Sequence, residues 1–120
     1  MDHATLTRLE NELNEAILTG RAMEAFEQYY ADGIVMQENT NEPTQGKDAN
    51  RKREEEFFAA VEEFHGAELL GSAVGDGVTY SEWVYDITFK EGGRVKMTQV
   101  AARRWKDGKV VHERFYGPDH

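Results

Sequence analysis

The sequence has no cysteine and only two prolines in its 120 residues. The missing cysteines exclude a disulfide framework, a thiolate zinc site, an iron–sulfur cluster and a cysteine nucleophile together. Any chemistry must then run on oxygen and nitrogen groups. Positive charge is scarce as well: 14 Lys and Arg stand against 23 Asp and Glu, a net charge of −9. Such a surface repels phosphate backbones and anionic lipid, and the basic run Arg51-Lys52-Arg53 is answered at once by Glu54-Glu55-Glu56. No nucleic acid partner is expected. Nowhere do apolar residues approach the run of about eighteen that a membrane-spanning helix needs, and the N-terminal segment lacks the apolar core of a signal peptide. A cytoplasmic protein with no membrane partner is the expectation.

Sequence signatures of several chemistries are missing too. There is no Gly-x-Ser-x-Gly, no P-loop, no Gly-x-Gly-x-x-Gly after a strand and no His-Glu-x-x-His. His3, His65 and His120 lie at a terminus or an element junction and share no spacing with carboxylates that suggests a metal. Neither a metal nor an organic cofactor is expected.

What is present is periodic. Hydrophobic residues make up 39% and aromatics 11%, enough for one core in a chain that buries roughly two-thirds of its unfolded surface. Leu6, Leu9, Leu13, Ala16 and Ile17 form one apolar stripe at helical spacing, stopped by Gly20. A second stripe, Ala22, Met23, Phe26, Tyr29 and Tyr30, ends at Asp32-Gly33. Ile34-Val35-Met36 reads as a short strand, followed by a polar loop through Gln45. A third helix is expected over 47–64, buried through Ala49, Phe57, Ala60, Val61 and Phe64, with Arg51/Glu55 and Lys52/Glu56 as exposed pairs. Beyond it, turns at Gly75-Asp76-Gly77, Gly92-Gly93 and Asp107-Gly108 separate strands expected at 65–74, 78–90, 95–106 and 109–116. Residues 1–120 read as one domain.

Two-residue turns would set Glu91 opposite Arg94 and Lys106 opposite Lys109. One sheet face then collects Ser81, Trp83, Tyr85, Ile87 and Phe89 with Thr98, Val100, Ala102 and Arg104, and with Val111, Glu113 and Phe115. This more apolar face should meet the helices, leaving Arg104 and Glu113 as stranded polar groups. The other face collects Tyr80, Glu82, Arg103, Trp105, His112 and Tyr116. It suits either a solvated salt-bridge ladder or a wet subunit interface.

The element order carries three local signatures: Tyr30-Ala31-Asp32-Gly33-Ile34-Val35-Met36, Gly46-Lys47-Asp48-Ala49 and Trp105-Lys106-Asp107-Gly108-Lys109-Val110. Together they resemble the SnoaL-like branch of the nuclear transport factor 2-like superfamily over nearly the whole chain. The resemblance implies an α+β fold, a cone-like curved antiparallel sheet packed on three N-terminal helices, and a homodimer through the outer sheet face. The superfamily includes polyketide cyclases, ketosteroid isomerases, dehydratases, epoxide hydrolases and domains without chemistry, so fold alone does not name an activity. By that resemblance Glu38 holds the position of the isomerase-type general base. The positions of the oxyanion donors map to about Leu13 and Val100, neither of which can donate.

Three groups are therefore singled out as catalytic candidates inside the cone, Glu38, Glu113 and Arg104. Glu38 is either a base in an apolar pocket or a solvated loop glutamate. Arg104 with Glu113 is either an anion-recognising pair or a structural ion pair. Tyr30, Phe57, Trp83, Tyr85, Val100 and Phe115 would line a site for a small, largely apolar organic molecule. The alternatives are an isomerase- or cyclase-type enzyme using Glu38, or a non-catalytic dimeric domain.

Overall fold

A computed structural model describes residues 1–118; His120 lies outside the described residues. The elements are α1 (His3–Leu18), α2 (Ala22–Tyr29), β1 (Tyr30–Glu38), β2 (Thr44–Gln45), α3 (Lys47–Ala59), β3 (Val61–Val74), β4 (Val78–Phe89), β5 (Gly93–Lys106) and β6 (Lys109–Tyr116). The six strands form one curved, unclosed sheet in the order β2-β1-β6-β5-β4-β3. The meander β3 to β6 is antiparallel, as expected, but β1 lies parallel to β6. The sheet is therefore mixed.

The N-terminal stripe behaves as its spacing dictates. The Asp2 side chain caps α1 by accepting from the Thr5 N–H at 2.8 Å. Leu6, Leu9, Leu13 and Ala16 bury against Ala25, Phe26, Tyr29, Tyr30, Ile34, Met36, Trp105 and Val110. Each large apolar side chain sealed there contributes on the order of 1.5–3 kcal/mol.

Besides β2, which pairs with β1 within the stretch expected as a polar loop, three features differ from the sequence reading. First, β1 begins at Tyr30, because the backbone turns extended there and pairs with Val110; Asp32-Gly33 falls within a register irregularity of the strand, not at a helix end. Second, α3 stops at Ala59, and Val61 and Phe64 belong to β3. Its single fully buried residue is Asn50, whose amide donates to the carbonyls of Ile34, Thr44 and Gly46 at 3.2, 3.0 and 2.8 Å. Ala49, Phe57 and Ala60 are exposed. Arg51 pairs with Glu27 and Asp48, not with Glu55. The helix is thus held by polar anchors.

Third, the β4–β5 turn has three residues, Lys90-Glu91-Gly92, and sets Phe89 opposite Gly93. The register moves by three positions from a two-residue turn, and an odd shift exchanges the two faces of β5. The β5–β6 turn at Asp107-Gly108 does place Lys106 opposite Lys109, with φ of 53° and 80° at its two residues. A register irregularity between Arg104 and Trp105 then brings Arg103 opposite Glu113. Arg103 and Trp105, expected on the outer face, are buried inside. Arg104 and Val100, expected inside, sit on the outer face, Arg104 opposite His112 and Val100 between Glu82 and Tyr116.

Candidate functional site

The inner face is crossed by a row running Thr79, Arg103, Glu113 and Met36 on β4, β5, β6 and β1. The next row runs Ser81, Ala101, Phe115 and Glu38. Above these lie Trp83 opposite Gln99 and Tyr85 opposite Met97. Helix α1 lowers two polar side chains onto this surface, Glu10 and Asn14, one turn apart on the same buried stripe as the leucines.

The buried polar groups form one network centred on Arg103. Its guanidinium lies 2.7 Å from Glu113 Oε2, 3.0 Å from Glu10 Oε2 and 2.8 Å from Asn14 Oδ1. Glu10 also accepts from the hydroxyls of Thr79 at 2.8 Å and Ser81 at 2.5 Å. Asn14 donates to Ser81 Oγ at 2.7 Å, and the Trp105 indole donates to Thr79 Oγ1 at 2.8 Å. Tyr30 donates its hydroxyl to Glu113 Oε2 at 2.6 Å. Burial opposes the Arg103 charge, but Tyr30, Glu113 and Glu10 around it outweigh burial and hold the guanidinium well above its ordinary range. Burial, reinforced by the Glu113 carboxylate, pushes the Tyr30 hydroxyl up, so it remains a donor.

Two deeply buried polar atoms next to this network have no partner: Glu113 Oε1 and Trp83 Nε1. Unpaired atoms of this kind cost about 1–3 kcal/mol each, more for a charged group. Trp83 stacks on Tyr85 with ring centroids 5.5 Å apart, and Phe64 tilts against Tyr85 at 6.4 Å. Phe57 of α3 meets Phe89 of β4 edge-on at 5.9 Å. Phe57, Phe58 and Phe64 remain 36%, 41% and 48% exposed and form an aromatic margin where α3 meets β3.

Glu54 occupies the sheet-facing stripe of α3, one turn beyond Asn50, and is half-buried. Burial, and then the charge of Glu113, push its carboxyl up to about 7; Glu38 adds to the shift and Arg53 opposes it. Tyr85 is pushed up by burial as well.

The predicted site residues are thus partly assembled. Glu113, Trp83, Tyr85 and Phe115 face inward, as expected. Tyr30 is fully in the core, stacked on Phe26 at 5.1 Å, and reaches the network through its hydroxyl's bond to Glu113. Phe57 stands at the margin. Glu38 sits at the rim, its side chain 53% exposed and 3.5 Å from Arg53. Arg104 and Val100 are turned away. Sequence reasoning reserved the buried acid positions for Glu38 and Glu113; the structure seals Glu10 and Glu113 and half-buries Glu54. Arg103, Glu10, Asn14, Thr79 and Glu54 were missed. The spacing of Leu6, Glu10 and Asn14 at i, i+4 and i+8 was the available signal for two of them.

On the outer face Tyr80 and Tyr116 are 39% and 46% exposed, with Glu82, Arg104, His112 and Arg114 between them. The Arg114 guanidinium lies over the Tyr116 ring at 5.6 Å. Burial and the neighbouring Arg114 and Arg104 charges hold the His112 imidazole below its ordinary range. Among the described residues no cluster of three or more His, Asp or Glu is arranged to hold a metal ion, and no helix is long and apolar enough to cross a membrane.

Comparison with solved structures finds this architecture repeatedly. A SnoaL-like polyketide cyclase candidate from Mesorhizobium loti is 29% identical, with a TM-score of 0.83 over 92% of this chain and 97% of that one. A nuclear transport factor 2-like protein of unknown function from Burkholderia pseudomallei superposes with a TM-score of 0.81 at 12% identity, over 98% of this chain and 92% of its own. An LEH-like epoxide hydrolase from M. tuberculosis gives 0.75 at 13% identity, over 96% and 84%. The last two show the fold alone. No curated protein matches the chain. The model of the SnoaL-like domain, however, matches residues 9–117, nearly the full length over which the helices, the mixed sheet and the buried network extend. This chain therefore belongs to the SnoaL-like domain family.

Proposed function

We infer that this domain binds a small, largely apolar organic molecule along the aromatic margin where α3 meets β3. One observation carries the reading: Phe57, Phe58 and Phe64 leave ring surface exposed beside Tyr85 and Phe89. A ligand lying along Phe57, Phe64 and Tyr85 would cover that exposed ring surface. Titration of a set of neutral one- and two-ring molecules, followed through the Trp83 indole N–H resonance, tests this. Binders should shift that resonance at millimolar concentration or below, with the Gln99 side chain moving alongside. If none of them moves it, the margin is not a ligand site.

A second reading follows from Glu54. A carboxyl held up to about 7 is present in both protonation states at neutral pH, the requirement for general acid–base work on a carbonyl compound. Such an enzyme would use Glu54 in the place where the family resemblance put Glu38, which stands at the rim beside Arg53. A cytoplasmic location and a homodimer through the outer sheet face belong to the same proposal. The dimer reading is supported by the two exposed tyrosines of that face, Tyr80 and Tyr116.

A further inference from the structure

Glu63, His65 and Thr88 form a chain of polar contacts on the sheet face turned away from α3. Thr88 lies between Ile87, which is buried, and Phe89, which meets Phe57 of α3, so strand alternation turns its hydroxyl to the outer side. Glu63 is its register partner on β3. The next two pairs, Phe64 with Ile87 and Gly66 with Asp86, use consecutive residues on β4 and leave His65 as the extra residue of a bulge. Its ring lies 2.9 Å from Glu63 Oε2 through Nδ1 and 2.7 Å from Thr88 Oγ1 through Nε2. The order is carboxylate, imidazole, hydroxyl.

The chemistry of the three groups fixes which of them donates. A carboxylate only accepts, so the neutral imidazole keeps its proton on Nδ1 and turns the lone pair of Nε2 toward the hydroxyl. Thr88 then donates to Nε2, the arrangement of a nucleophile, its base and a group that orients the base. The His65 side chain is 19% exposed and Thr88 is half-buried, so a reagent from solvent reaches the hydroxyl without a cavity. On the other flank the register partner of Thr88 is Arg94, whose Nε and Nη2 bind Asp86 at 3.0 and 2.9 Å. Its charge favours an oxyanion forming beside Thr88.

We propose that Thr88 is a nucleophile that takes an acyl group from an activated ester, with His65 as its general base and Glu63 as the residue that positions His65. Oγ1 forms a bond to the carbonyl carbon while its proton passes to Nε2. The bond from that carbon to the leaving oxygen then breaks, and a phenolate departs with the electron pair while His65 returns its proton to water. The product is an ester on Thr88, and attack by water along the same path gives back Thr88 and a carboxylic acid. The site is independent of the ligand-binding reading and of the face of Tyr80 and Tyr116, since Tyr80 lies about 26 Å away along β4.

p-Nitrophenyl acetate added to the intact protein tests it. Nitrophenolate should appear in a burst of about one equivalent, and peptide mass spectrometry should place an acetyl group on Thr88. Thr88→Val keeps the shape of the side chain and should abolish the burst. His65→Ala should slow it about a hundredfold, with added imidazole restoring part of the rate. Glu63→Ala should slow it about tenfold, less than in a buried triad because water also reaches His65, and should move the proton of the neutral imidazole from Nδ1 to Nε2 in nitrogen NMR spectra. A tautomer unchanged by Glu63→Ala overturns the positioning role. Acetyl groups on lysines or His65 without Thr88, or a Thr88 label formed equally fast in His65→Ala, overturns the nucleophile assignment.

Discussion

At the scale of single residues the decisive contrast is between two glutamates. Glu38 ends a strand at the rim and is half in water beside Arg53, whereas Glu54 projects from a helix toward the sealed carboxylate of Glu113. Because burial and Glu113 raise the Glu54 carboxyl in the folded state to about 7, above its ordinary 4.5, the fold binds a proton there that the unfolded chain releases. Stability attached to this group is therefore present at low pH and is lost as pH rises from about 4.5 to about 7. Glu54→Gln should stabilise the protein at pH 8 by on the order of 1–2 kcal/mol, a value reduced for solvent at the mouth, and should do nothing at pH 4. Urea midpoints at the two pH values check this; an equal shift at both would mean that the carboxyl does not titrate with folding. Neither carboxylate's environment could be read from the sequence, because Glu54 sits inside a charged run, Arg51 to Glu56, whose ordinary reading is a solvated helix face.

At the scale of elements, α3 shows how far apolar periodicity carries. The stripe of α1 was legible because Leu6, Leu9 and Leu13 pack into one core. The sheet-facing stripe of α3 is Lys47, Asn50, Glu54 and Phe57, and its attachment is polar: Lys47 donates to the carbonyls of Glu27 at 2.8 Å and Tyr30 at 2.9 Å, and Asn50 donates three bonds. Asn50→Ala leaves buried carbonyls unmatched and should cost about 2–3 kcal/mol, seen as a lower denaturation midpoint. Amides of α3 should then exchange faster than those of β4 and β5, the helix opening as a local unit. Uniform acceleration across the chain would show instead that α3 unfolds only with the whole. The register of β5 is the second lesson at this scale. Gly92-Gly93 fits a two-residue hairpin well, yet the turn is Lys90-Glu91-Gly92 with Gly93 opening β5, the two glycines at φ of 103° and 76°, and local sequence does not separate the two turns. Packing does: the three-residue turn seals Arg103 and Trp105, and the irregularity between Arg104 and Trp105 sets Arg103 opposite Glu113, while the two-residue turn would have exposed Trp105 and buried Arg104.

At the scale of the whole molecule, the outer sheet face carries the quaternary proposal. Arg103 and Trp105 leave it for the interior, and Arg104 takes their place among Tyr80, Glu82, His112 and Tyr116. Sedimentation at tens of micromolar should give a species of twice the 13.7 kDa chain mass, and Tyr80→Glu with Tyr116→Glu should return it to the monomer. A monomer from the unaltered chain at that concentration refutes the outer-face dimer. The net charge of −9 also acquires a division of labour at this scale. Most acids lie on exposed helix and loop positions, while Glu10, Glu54 and Glu113 are turned inward, where Arg103 meets the carboxylates of Glu10 and Glu113.

By itself the sequence determined the resemblance to the family, the order of the elements other than β2, the core of α1 and α2, and the exclusion of cysteine chemistry. The resemblance follows from three local signatures, and the rest from composition or short-range periodicity, which any segment carries within itself. Only the tertiary structure decided which arginine enters the interior and which glutamate faces its partner. Those outcomes turn on a turn one residue longer than its glycines require and on bonds between α1 and β5 that are 89 positions apart. A strand's two faces exchange on an odd shift in register, so a local ambiguity of one residue became a global difference in which charges are buried.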